Sequence, residues 1–141
     1  VMPSVLQNIC SYLDAKNVSY NIVGPQNEAI SIREKIPGTT SIVNIVIITD
    51  AEDIYNKRVQ IRIYNLCSIQ NVTTTVWRAV NEINEQYRWF RVYLGDESDV
   101  CLSADAIVDI DDPGEEIFEL IVRGVMICEN IYPKLMKAAW A

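Results

Sequence analysis

The chain has 141 residues, half of them apolar, with 12 Lys and Arg against 19 Asp and Glu. The net charge of −7 argues against partners such as duplex nucleic acid or an anionic membrane, which attract clustered Lys and Arg. That length suffices for one domain with a proper core, expected over residues 2–141.

The first basic residue is Lys16, so no secretory signal is readable, and no apolar run approaches the ~20 residues of a membrane span. Val1 ahead of Met2 reads as an added residue, and a cytoplasmic protein starting at Met2 is expected. Cys10, Cys67, Cys101 and Cys128 are widely spaced, with no C-x-x-C pair, and read as small buried thiols in a reducing compartment.

The first predicted element is a helix with the stripe Val5, Leu6, Ile9, Cys10 and Leu13. Pro3 suits its first turn, and Asn17 suits a left-handed cap at its end. A connector follows over residues 18–27, with an extended piece around Tyr20 to Val23. Ile30, Ile32 and Ile36 alternate with Ser31, Arg33 and Lys35, a half-exposed strand broken by Pro37 and Gly38. Residues 42–49 are β-branched apart from Asn44, which predicts a central strand buried on much of both faces. After an acidic loop over residues 50–57, Val59, Ile61 and Ile63 alternate with Gln60, Arg62 and Tyr64 as a third strand. The links are too short for crossover helices, so the three strands are consecutive antiparallel neighbours.

Val72, Val76, Val80, Ile83 and Tyr87 form one face of a second helix, with Asn71 as its expected N-cap or, since Thr73, Thr74 and Thr75 are poor helix formers, a start a residue or two later. Trp77 and Asn84 lie beside that stripe. Residues 88–94 read as a strand, with Phe90, Val92 and Leu94 toward the core and Trp89, Arg91 and Tyr93 away from it. A turn over residues 95–99 leads to a partner strand over residues 100–108. The last helix has the expected N-cap Asp112, Pro113 in its first turn and Glu115 at the capping-box position. Ile117, Ile121, Gly124, Cys128, Ile131, Leu135 and Ala138 form its main stripe. A second stripe of Phe118, Val122, Val125, Tyr132 and Met136 exceeds what a one-sided helix needs, and Pro133 is expected to kink or restart the helix near Tyr132. The predicted fold is therefore α+β, in the order helix, three antiparallel strands, helix, two-strand hairpin, helix, with one antiparallel sheet packed by helices.

With no histidine, the commonest general base and most zinc sites are missing, and the five glycines stand apart, without a phosphate loop. The acidic groups Asp96, Glu97, Asp99 and Asp109, Asp111, Asp112 lack the ligand pattern of a calcium loop and read as solvated turns and a cap. No catalytic residue, metal or cofactor is expected.

Residues 80–90 (VNEINEQYRWF), the strand Val92-Tyr93-Leu94, the run Asp99-Val100-Cys101-Leu102 and the ending YPKLMKAAW over residues 132–140 resemble the YbjN-domain family of bacteria. That family is described as regulators of bacterial sensory transduction. The resemblance implies a fold similar to type III secretion chaperones, which are small acidic dimers that hold partner polypeptides, and it brings no catalytic residues. It points to a non-enzymatic protein-binding or regulatory module, a homodimer with a further protein partner and no nucleic acid or membrane. Trp77, Tyr132, Met136 and Trp140 are the candidate contact residues. The alternative is a small-molecule or nucleotide sensor, with a pocket between sheet and helices where Arg62, Arg88 and Arg91 meet an anion.

Overall fold

The computed structural model describes residues 2–53 and 57–141. Val1 and part of the acidic loop expected over residues 50–57 lie outside the described residues. In chain order the elements are α1 (Ser4–Ala15), β1 (Asn21–Val23), β2 (Ala29–Lys35), β3 (Ile42–Ile48), β4 (Arg58–Tyr64), α2 (Thr74–Gln86), β5 (Arg91–Leu94), β6 (Val100–Ile107) and α3 (Gly114–Ala139). The strands form one sheet in the order β1-β2-β3-β4-β6-β5, with every neighbouring pair antiparallel. The expected α+β order of helices and strands is observed, with one addition.

That addition is β1, which makes six strands where five were expected. The extended piece anticipated near Tyr20 pairs with β2 through Asn21–Ser31, Ile22–Ile30 and Val23–Ala29. Three residues are too few to show a two-residue alternation, and the backbone bonds to β2 define this strand. Asn17 does adopt the left-handed conformation after α1, at φ 60°.

The sheet is covered on one face. Ile30 and Ile32 on β2, Val43, Ile45 and Ile47 on β3, Val59, Ile61 and Ile63 on β4, Leu102 and Ala104 on β6 and Val92 on β5 all turn to that face and are buried. They join Leu6, Ile9 and Leu13 of α1, Val76 and Ile83 of α2, and Ile117, Cys128, Ile131 and Leu135 of α3 in one apolar cluster. β3 corrects the expectation of burial on both faces. Its residues alternate, and Asn44, Val46 and Ile48 point away from the helices and are only partly covered. β-Branched residues on the uncovered face satisfy strand propensity, not burial.

Small residues let α3 come close to its neighbours. A Cβ on Gly124 would stand 2.7 Å from Ile63 Cδ1 and 3.0 Å from Phe90 Cζ, so the helix lies directly on the sheet there. Gly114, the first residue of α3, lies against Tyr12 of α1, closer to the Tyr12 Cβ than a side chain allows.

The helix ends differ from the expectation in detail. α2 takes the later of its expected starts, with Thr73 and not Asn71 as the cap; the Thr73 hydroxyl accepts from the Val76 N–H, at 3.4 Å. Val72 thereby stays outside the helix. α3 is capped at Pro113 without a side-chain hydrogen bond, because Asp112 is held in a preceding turn by its N–H to the Asp109 carbonyl. Pro133 lies inside an unbroken α3, with no restart at Tyr132. Proline removes one intrahelical bond, and the fully buried Ile131 and Leu135 hold the helix through that point.

Gly114→Ala tests the α1–α3 contact. Helix propensity alone favours Ala over Gly by up to ~1 kcal/mol. The clash with Tyr12 is expected to reverse that sign and destabilise the protein by about 1–3 kcal/mol, read as a lower urea midpoint with an unchanged slope.

Candidate functional site

The corner between α2 and β5 is a constrained stretch of surface. Helix α2 ends at Gln86, Tyr87 is extended, and Trp89 takes a left-handed backbone at φ 79°. A bulky side chain in that region costs about 1–2 kcal/mol. The reversal puts Phe90 into the core and leaves Trp89 65% exposed. It also corrects the strand start: pairing begins at Arg91 and not at residue 88, so Trp89 is not in register with Arg91 and Tyr93.

Asn84 holds the corner in place. Its side-chain oxygen accepts from the Val92 N–H at 2.8 Å, and its side-chain nitrogen donates to the Val92 carbonyl at 3.0 Å. Those two groups belong to the outer edge of the sheet, because β6 pairs with the other side of β5. One amide thus takes the place of a neighbouring strand and closes this edge to further pairing. The sequence puts Asn84 beside the core stripe but does not show this role, since its partner lies in the next element.

Trp89 borders an open depression of about 370 Å3 that is also lined by Ile107, Leu120, Glu116, Glu119 and Arg123. A second depression, lined by Arg88, Met126 and Asn130, shares Trp89 and Arg123 with it. Ile107 and Met126 are exposed. Arg123 is paired with Glu119 at 3.0 Å along α3, an exposed contact. Trp89 was not among the candidate contacts; the available sign was its place in the alternation opposite Phe90.

The four candidates occupy two kinds of setting. Trp77 on α2 and Trp140 just after α3 are exposed, at 55% and 87%. Tyr132 and Met136 are partly buried and pack on the apolar cluster. No depression described here is lined by two of the four. The three arginines proposed for an anion do not meet between sheet and helices. Arg62 and Arg91 lie on the sheet face away from the helices, and Arg88 is exposed beyond the end of α2. Arg62 donates to the backbone carbonyl of Ala104 and pairs with Asp105, at 3.3 Å, while Arg91 donates to the Ser103 hydroxyl at 3.2 Å.

The thiols are held protonated at neutral pH. Burial pushes Cys67 and Cys128 up to about 12 and Cys101 up to about 11, with the Asp99 carboxylate adding to Cys67 and Cys101. Burial also raises Cys10. A thiol so shifted supplies almost no thiolate nucleophile near pH 7. The acidic groups serve their own turns. Asp99 accepts from the Asn65 N–H and the Cys101 thiol, and Asp109 accepts from the Asp111 N–H. Among the described residues, no group of three or more carboxylates or thiols is arranged to hold a metal. No helix of the described residues is long and apolar enough to cross a membrane.

No family model matches the chain, and no curated protein matches it by sequence. Among solved structures, its fold is similar to that of YbjN from E. coli, described as a proposed transcription regulator. The likeness covers 89% of each chain at a TM-score of 0.57 and 12% sequence identity. At that identity the likeness shows the fold.

Two variants separate the parts of the corner. Asn84→Ala leaves the edge N–H and carbonyl of Val92 without partners and is expected to cost about 2–3 kcal/mol. Trp89→Gly removes an exposed side chain from a left-handed position and is expected to raise stability by about 1 kcal/mol. Denaturant titration of both variants reads the opposite signs; a loss of stability in Trp89→Gly would mean that its ring, not its backbone, dominates there.

Proposed function

We propose that this chain is a non-enzymatic regulatory module that works by binding another polypeptide, in the manner of a chaperone, as a homodimer in the bacterial cytoplasm. The observation that carries this reading is that all three tryptophans stand more than half exposed: Trp77 at 55%, Trp89 at 65% and Trp140 at 87%. Tryptophan is a residue that folded chains bury on average, and one that dominates binding energy where it remains at a contact surface. Three exposed in a chain of 141 residues support a role in which surface contacts are the function.

The raised thiols and the absence of histidine favour binding over catalysis. The fold shared with YbjN supports a regulatory role, given the description of that protein. For a transcription regulator the direct route would be DNA, but the net charge of −7 favours a protein partner instead.

Size-exclusion chromatography with light scattering at high micromolar concentration is expected to give twice the chain mass of 16.0 kDa. A mass of one chain would remove the dimer. In a pull-down from bacterial lysate, a specific polypeptide is expected with the wild type and not with a folded Trp77→Ala, Trp89→Ala, Trp140→Ala variant. Equal capture by both, or capture by neither, would count against tryptophan-mediated binding.

A further inference from the structure

The open face of the sheet carries a charge opposite to that of the rest of the chain. The strand registers put Arg33 and Lys35 of β2, Arg58 and Arg62 of β4 and Arg91 of β5 on this face, five of the 12 Lys and Arg. The one carboxylate that the paired strands place there is Asp105 on β6. Arg33, Lys35 and Arg91 have no ion-pair partner among the described residues. A face this basic on a chain of net charge −7 leaves the remaining surface more acidic than the total suggests.

The cations define a lane across the strands. One transverse row is Ser31, Val46, Arg62, Ser103 and Arg91, and the next begins Arg33, Asn44, Tyr64 and takes in Tyr93 on β5. Along β6 the lane is floored by the small, buried Cys101 and Ser103. Arg91 lies over the Tyr93 ring at 5.6 Å. Acidic groups close both ends of the strands. Glu28, Asp50 and Glu52 surround the depression at Ile48, and Asp96, Glu97 and Asp99 occupy the β5–β6 turn. A polyanion running along the strands meets these carboxylates, whereas one crossing the strands does not.

We propose that this lane binds an acidic polypeptide segment that crosses the strands with a carboxylate at every third residue. The proposal rests on the polypeptide-binding reading above and names its surface. From β2 to β4 and from β4 to β5 are two strand spacings each, so Arg62 and Arg91, which share a row, stand about 10 Å apart, and Arg33, two residues along β2 from that row, stands about 12 Å from Arg62. A polyproline II chain rises about 9 Å per turn of three residues and presents residues i, i+3 and i+6 on one side. Its carboxylates at i and i+3 therefore match Arg91 and Arg62, with that at i+6 within reach of the long Arg33 side chain, and its lack of internal backbone bonds leaves its carbonyls free to accept from the Asn44 side-chain amide, whose oxygen already accepts from the Ser31 hydroxyl. A second copy cannot cover the lane by symmetric pairing, because that sets two basic faces against each other. A long nucleic acid continues past the lane into acidic surroundings. Addition as a seventh strand at β5 is closed by Asn84.

The test is amide NMR titration of the full chain at low salt with a peptide of three Glu-Pro-Pro repeats, a Gln-Pro-Pro control and an oligothymidylate of similar length. The expected result is saturable shifts in β2, β4 and β5 with the Glu peptide, at least tenfold weaker with the Gln peptide and at 0.5 M salt. Arg33→Glu with Arg91→Glu is expected to weaken binding at least tenfold, while Arg123→Glu with Lys137→Glu on α3, an equal change of charge, changes it less than twofold. No saturable binding, an equal effect of both double variants, or tighter binding of the oligothymidylate would overturn the proposal. The lysate capture repeated with the Arg33, Arg91 variant separates the two levels: a partner still held leaves polypeptide binding standing and removes this lane.

Discussion

The close approach of α3 to one face of the sheet is the constraint on which the rest depends. Gly124 lets the helix settle against Ile63 and Phe90, and Gly114 lets its start lie against Tyr12 of α1. With α3 in that position, α1 and α2 pack beside it, and the alternating residues of the central strands divide into a filled face and an uncovered one. The apolar cluster then forms on one side only. No buried side-chain polar atom of the described residues lacks a hydrogen-bond partner. A two-layer arrangement of this kind leaves a whole sheet face to solvent, and its side chains are free to serve contacts instead of packing.

The corner after α2 shows the same division at smaller scale. Phe90 enters the core beneath α3, and the chain between Gln86 and Arg91 reaches it through a left-handed residue. That residue is Trp89, so the strain that seats Phe90 also displays an indole. Asn84 contributes the opposing term, since its two bonds to Val92 secure the strand that follows. An edge strand of four residues, closed by a side-chain amide, is protected against unspecific pairing. What the surface offers instead is side chains: tryptophans on α2, at the α2–β5 corner and after α3, and arginines and tyrosines on the open side.

This separation bears on how one small chain can serve more than one contact. Trp77 on α2 and Trp140 after α3 belong to the helical layer, whereas Trp89 stands at the β5 edge beside Asp105 and Ile107. On a surface rich in carboxylates, the basic lane would attract the proposed acidic segment over a short range only, because screening limits its pull to roughly 8 Å at physiological salt.

Much of the fold is legible in the residues alone. The stripes of α1, α2 and α3 and the alternation of β2 and β4 follow from periodicity, because one buried face per element is a local property of the sequence. The same holds for the left-handed Asn17 and for the turn at Gly38. The sequence also determined the acidic balance and the lack of histidine. Only the tertiary structure decided the rest. β1 exists through pairing with β2; Asn84 acts on a strand eight residues on; the arginines gather on a common face because strands distant in sequence lie side by side in register. Trp89 is exposed because Phe90, its neighbour, must be buried. Each of these depends on which segments meet in space, and a periodicity within one segment carries no record of the segment it will meet.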